Sequence, residues 1–117
     1  LAALLEFFTG LGLLVDPELL VLMLLGEAPV GQALLLARLA GIALIGLGLA
    51  CWPPGAASFR GLLAYNLLVT PFLAYLGAGL HISGKCLWPA VFLHVLLTLY
   101  LLWSARKQFA GMKDYQV

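Results

Sequence analysis

The chain has 117 residues, 64% of them hydrophobic and 9% charged, with a net charge of +1 and a mean hydropathy of +1.10. Soluble domains are about 45–50% apolar, and one this small has too little interior to hide the excess, so lipid is the expected solvent for most helix surfaces. The weak net charge and the lack of a basic run interleaved with aromatics argue against nucleic-acid recognition, and the length leaves room for one membrane domain and no separate cofactor domain.

The first apolar stretch, Leu1 to Val15, is short for a span and reads as helix one. It opens on Leu rather than Met, which leaves room for residues upstream. A signal peptide is the competing reading; it lacks a basic n-region and a small-residue cleavage site before Asp16. Asp16-Pro17-Glu18 predicts a helix start, with Asp as N-cap, Pro at the first helical position and an acid in the first turn. This helix runs to Leu25 and Gly26 ends it. At about 1.5 Å per residue it is too short to cross ~30 Å of hydrocarbon, so it lies in the interface or continues helix one after a kink.

Glu27 to Gly31 is a loop, after which Gln32 to Trp52 supplies the roughly twenty residues of a spanning helix. Pro53-Pro54-Gly55 stops it. Ser58 is placed to cap the next helix, which runs from Phe59 or Arg60 to about Leu80, with Pro71 inside it removing a backbone hydrogen bond and bending it. His81 to Lys85 is a short turn. Trp88-Pro89 fits the first turn of a fourth helix that continues through Val91, Leu96 and Leu101 to Trp103, before a polar tail from Ser104 to Val117. The predicted fold is therefore all-α: an integral membrane four-helix bundle with a short interfacial helix between helices one and two. A single transmembrane domain covers 1–103, with spans near 1–15, 32–52, 60–80 and 86–103 and the interfacial helix near 17–25; a polar cytoplasmic tail covers 104–117.

Arg60, Arg106, Lys107 and Lys113 fall on one side of this arrangement, while Lys85 shares the other with Asp16, Glu18 and Glu27. The excess of basic residues predicts that both termini are cytoplasmic. Trp52 and Trp103 then lie near the inner interface and Trp88 near the outer, as aromatic anchors. Cys51 and Cys86 fall at opposite faces, which excludes a bond or a shared metal between them. Ala37 and Gly41, followed by Gly46 and Gly48, would let another helix backbone approach closely, either within the chain or from another protein.

The polar side chains inside the spans are the candidate site. Counting from the outer helix ends at about 1.5 Å per residue puts Arg38 roughly 9 Å deep, His94 about 12 Å, Glu6 about 14 Å and Thr70 about 15 Å. Glu6, Arg38, Thr70, Tyr75 and His94 thus form a predicted intramembrane network, with Asn66 and Thr98 as a deeper pair one turn from Thr70 and His94. An ion pair between Glu6 and Arg38 is the expected centre, because isolated charges at this depth cost several kcal/mol each. In the alternative, Arg38 snorkels to the headgroups, Glu6 is protonated, and the network fixes helix register only. No phosphate loop, nucleophile elbow, HExxH or CxxC occurs. His81 and His94 differ in depth by roughly 12 Å, too far for one haem. No cofactor, metal site or catalytic residue is expected.

The segments Leu36-Ala37-Arg38-Leu39-Ala40-Gly41, Arg60-Gly61-Leu62-Leu63-Ala64-Tyr65-Asn66 and Trp88-Pro89-Ala90 with His94 resemble those of small bacterial four-helix membrane proteins akin to the DoxX-like group. The resemblance covers most of the spans. It implies a bacterial inner-membrane location and supplies no active-site residue.

With no soluble head, the leading expectation is a non-catalytic accessory or scaffold subunit packed against other integral membrane subunits of a larger complex, recognised through the segment Pro17 to Leu25 and the basic tail. The second is a small carrier or binder of a lipid or other amphiphile, with proton coupling through Glu6 and His94 as an added option. An enzyme acting on a membrane-soluble substrate in the same pocket is the third.

Overall fold

The computed structural model describes residues 1–52 and 55–113, and these form five helices and no strand. They are α1 (Ala2–Val15), α2 (Pro17–Leu25), α3 (Gln32–Ala50), α4 (Ala56–Ala78) and α5 (Leu87–Lys113). The helices α3, α4 and the Leu87–Lys107 part of α5 are long and apolar enough to cross a membrane; α1 and α2 qualify only as a pair, bent by 115° at Asp16. The surface matches that solvent. Large apolar side chains such as Leu35, Leu39, Leu68, Phe92 and Tyr100 are each more than 60% exposed, and the total area of 8006 Å² exceeds the roughly 6,200 Å² expected of a soluble monomer of this mass.

Local chemistry explains the break between α1 and α2. The Asp16 side chain accepts a hydrogen bond from Leu19 N at 3.1 Å, Pro17 occupies the first turn, and Gly26 closes α2 in the left-handed conformation at φ 86°. These are the cap, entry and stop that the sequence predicts. Far from floating free, α2 is clamped: Cys86 N donates to Met23 O at 2.7 Å, and Gly84 sits so close to the Leu24 carbonyl that a Cβ there would collide with it. The turn before α5 is thereby fastened to the end of α2.

The helices form two antiparallel pairs, α1 with α3 and α4 with α5. The first is a close backbone contact. A Cβ at Gly10 would lie 2.6 Å from Gly41 O, one at Gly41 would lie 2.7 Å from Gly10 O, and one at Gly48 would lie 2.7 Å from Ala3 O. Ala3 and Gly10, like Gly41 and Gly48, are seven residues apart, two helical turns, so the small residues meet in register. Gly46 faces away, with open space where a Cβ would go. The pairs are joined at one end by Ala2 and Ala3 packed against Leu62, Leu97 and Leu101. At the other end Leu24 of α2 packs against Leu73, Leu87 and Val91.

Three boundaries differ from those read in the sequence. Ser58 is not the cap of α4: Gly55 is, and the helix starts at Ala56. The α3 helix ends at Ala50, with Cys51 as its C-cap, instead of at Trp52; Pro53 and Pro54, expected to stop it, lie outside the described residues. Finally, α5 continues to Lys113, so most of the expected polar tail is helix. The apolar run ends at Trp103, but Ser104 to Lys113 contains no proline, and a span leaving the hydrocarbon has no reason to unwind there. Residues 114–117 of the expected tail lie outside the described residues.

Candidate functional site

Asn66 stands eleventh of the 23 residues of α4, near its middle, and is fully buried. A buried amide must satisfy both its ends, and this one does. Its Nδ2 donates to Leu62 O at 2.9 Å, and its Oδ1 lies 3.0 Å from Nδ1 of His94 on α5. Because Oδ1 only accepts, Nδ1 of His94 carries the hydrogen of this bond.

One turn along α5, Thr98 Oγ1 lies 2.7 Å from His94 O, 3.1 Å from Thr70 Oγ1 and 3.5 Å from Asn66 O. Thr98 has one hydrogen to give, and the short distance assigns it to His94 O. Thr70 is therefore the donor in the threonine pair. Asn66 and Thr98, expected as a separate deeper pair, instead interleave with Thr70 and His94 in one ladder between α4 and α5.

Glu6 closes the cluster from α1. It is 1% exposed, its Oε1 has no partner, and the Tyr65 hydroxyl of α4 is the hydrogen-bonding partner of its carboxyl group. The Tyr65 ring in turn meets His94 edge to face, centroids 6.2 Å apart. Tyr65 was not among the side chains singled out in the sequence. Tyrosine in an apolar span reads as an interfacial anchor, yet Tyr65 is tenth of 23 in α4, too deep for a belt, and that position is the signal that could have found it.

Two expected members lie elsewhere. Arg38 is exposed on the outer face of α3, and no ion pair joins it to Glu6 among the described residues. The reason lies in the pairing of α1 with α3: Gly10 faces Gly41 and Ala3 faces Gly48, so Glu6 is level with residues near Ile45, about 10 Å along the axis from Arg38. Tyr75 is 56% exposed and lies over Gly79 on its own helix.

Beside the cluster lies a groove of about 700 Å³ among the start of α1, the end of α3 and the facing parts of α4 and α5. Ala2, Ala3, Phe59, Leu62, Leu97 and Leu101 supply much of its wall, with Cys51, Ser58 and Tyr100 as its few polar members. A second hollow of about 290 Å³ shares Leu1, Leu93 and Leu97 with it and follows the seam between α1 and α5 as far as Phe8. The hollow seam has a cause. Glycine contacts draw α1 tightly onto α3, and among the described residues no glycine brings α1 as close to α5. Both cysteines are free thiols, and Cys51 Sγ lies 3.5 Å from Ser58 O. No group of three or more potential metal ligands occurs among the described residues.

No family model, curated protein or solved structure matches the chain. The resemblance to the DoxX-like group therefore rests on the quoted segments alone.

Proposed function

We propose that this is an integral membrane protein that binds a membrane-soluble amphiphile in the groove between α1, α4 and α5. The observation that carries the reading is the groove itself. Its volume of about 700 Å³ falls within the ~300–1,000 Å³ of small-molecule sites, and an apolar wall with a few polar groups is their usual lining. The adjoining hollow along the α1–α5 seam gives an apolar chain a sideways route from the bilayer. In this reading α1 crosses beside α3, making four crossings, both chain ends are cytoplasmic, and the membrane is a bacterial inner membrane.

A diazirine-bearing alkyl probe in phosphatidylcholine nanodiscs tests the proposal. Crosslinks are expected to concentrate in residues 55–62 and 93–101 and to fall at least fivefold in Ala2→Phe, which puts a ring into the groove. Labelling spread evenly over the exposed leucines of α3, and insensitive to Ala2→Phe, would reduce the groove to ordinary lipid contact.

The rival reading is an accessory subunit of a larger membrane complex. It draws on the outer face of α3, where Leu35, Leu36, Leu39, Ile42 and Leu49 are all more than half exposed. Acyl chains suit that face as well as a protein does, so it ranks second. A stoichiometric partner retained through mild-detergent purification would reverse the order.

A further inference from the structure

On each of the three helices that wall the groove, the residue one turn deeper on the groove-facing stripe is polar. Ala2 and Ala3 on α1 are followed by Glu6, Leu62 on α4 by Asn66, and Leu97 on α5 by His94 toward the bundle centre. Residues three or four apart share a helix face, so Glu6, Asn66 and His94 lie one turn beyond Ala2 and Ala3, Leu62 and Leu97, behind the groove's lining and not part of it. The last two are satisfied by each other and by Leu62 O. Glu6 is not: its Oε1 is buried and without a partner, although the side chain is 1% exposed. An acceptor left open in a site that excludes water marks a missing donor.

We propose that Glu6 is the recognition group for the polar end of the groove's occupant, and that this occupant is a long-chain primary amine bound with its ammonium inward. The inference rests on the groove reading above. A carboxyl group surrounded by hydrocarbon holds a charge only beside a cation, so it is best answered by a group that brings both an N–H donor and a positive charge. An ammonium supplies both, while its chain fills a groove whose wall offers little to a polar body. To reach the ammonium, the Glu6 side chain has to turn its Oε1 toward the floor at Ala2 and Ala3. An anionic head entering by the same route would meet like charge, and an alcohol would supply the donor without the charge.

Trp52 lines the groove, and it becomes the sole indole of the chain in a Trp88→Phe/Trp103→Phe background. In phosphatidylcholine nanodiscs, chain-brominated dodecylamine is expected to quench Trp52 saturably. Dodecanol and dodecanoate brominated at the same carbon are expected to bind at least tenfold more weakly. Glu6→Gln should weaken amine binding at least tenfold while leaving dodecanol within twofold, and Glu6→Asp should restore part of the loss. Circular dichroism and elution volume identify variants that have kept the fold. Saturable quenching by all three probes alike, unchanged in Glu6→Gln, would overturn the role of Glu6 while leaving the groove as a binding site. Quenching that rises linearly for every probe would overturn the groove reading itself.

Discussion

At the scale of single residues, burial separates the polar side chains that matter to the fold from those that merely occur in an apolar segment. Arg38 and Glu6 have comparable sequence settings, but only Glu6 is inside. Arg38→Gln is therefore expected to change stability by less than ~0.5 kcal/mol, the usual range for an exposed side chain without partners. Had it formed a buried ion pair, the loss would be about 3–5 kcal/mol. Tyr65→Phe removes the hydrogen bond to Glu6 and is expected to cost ~0.5–2 kcal/mol, the range for such bonds between membrane helices. Equilibrium unfolding by steric trapping in bicelles measures both. A cost for Arg38→Gln above that for Tyr65→Phe would place the partner of Glu6 on α3 after all. Residue counting assigns Glu6, Arg38, Thr70 and His94 to one layer; Thr70 and His94 share the α4–α5 ladder, but Arg38 stands about 10 Å along the axis from Glu6, because segment lengths do not fix the register of α1 on α3. Rotational facing was not legible, because the spans are leucine-rich on every side and carry no apolar stripe from which to read an inner face.

At the scale of elements, what was legible was whatever local chemistry fixes. The Asp16-Pro17 start and the Gly26 stop of α2 depend on neighbouring residues only, and both were readable. Contacts between helices depend on partners far along the chain. The sequence offered Ala37, Gly41, Gly46 and Gly48 as equivalent small residues on α3, and only the register with Ala3 and Gly10 distinguishes them. That register predicts opposite signs for two identical substitutions. Gly41→Ala places a methyl 2.7 Å from Gly10 O and 2.9 Å from Leu14 N; backbone atoms cannot step aside cheaply, so a loss of about 1–3 kcal/mol is expected. Gly46→Ala meets nothing and replaces a poor helix former, for a gain of up to ~1 kcal/mol. Paired unfolding curves of the two variants decide it, and equal effects would mean that α1 and α3 do not meet along this face.

At the scale of the whole molecule, orientation follows from how the pairs are joined. The 19 residues of α3 extend roughly 28 Å, close to the ~30 Å of a hydrocarbon core. Over most of that length α1 lies antiparallel to it, from Ala3 beside Gly48 past Gly10 beside Gly41. A helix held in backbone contact with a spanning helix shares its depth, which is the support for the proposed fourth crossing by α1, although its own 14 residues reach only about 21 Å. Its bend of 115° into α2 turns the chain beside the α4–α5 turn, where the α2 end is held by Cys86 N and Gly84. This end carries Glu18, Glu27 and Lys85, and the other carries Arg60, Arg106 and Lys107 beside Trp52 and Trp103. In the proposed orientation the cationic excess lies on the cytoplasmic side. In a Cys51→Ser/Cys86→Ser background expressed in bacterial cells, Glu27→Cys is expected to react with a membrane-impermeant maleimide in intact cells, and Arg60→Cys only after permeabilisation. The reverse pattern would invert the protein in the membrane. Reaction of both from outside would mean that α3 does not cross, and with it α1 would lose its place in the bilayer.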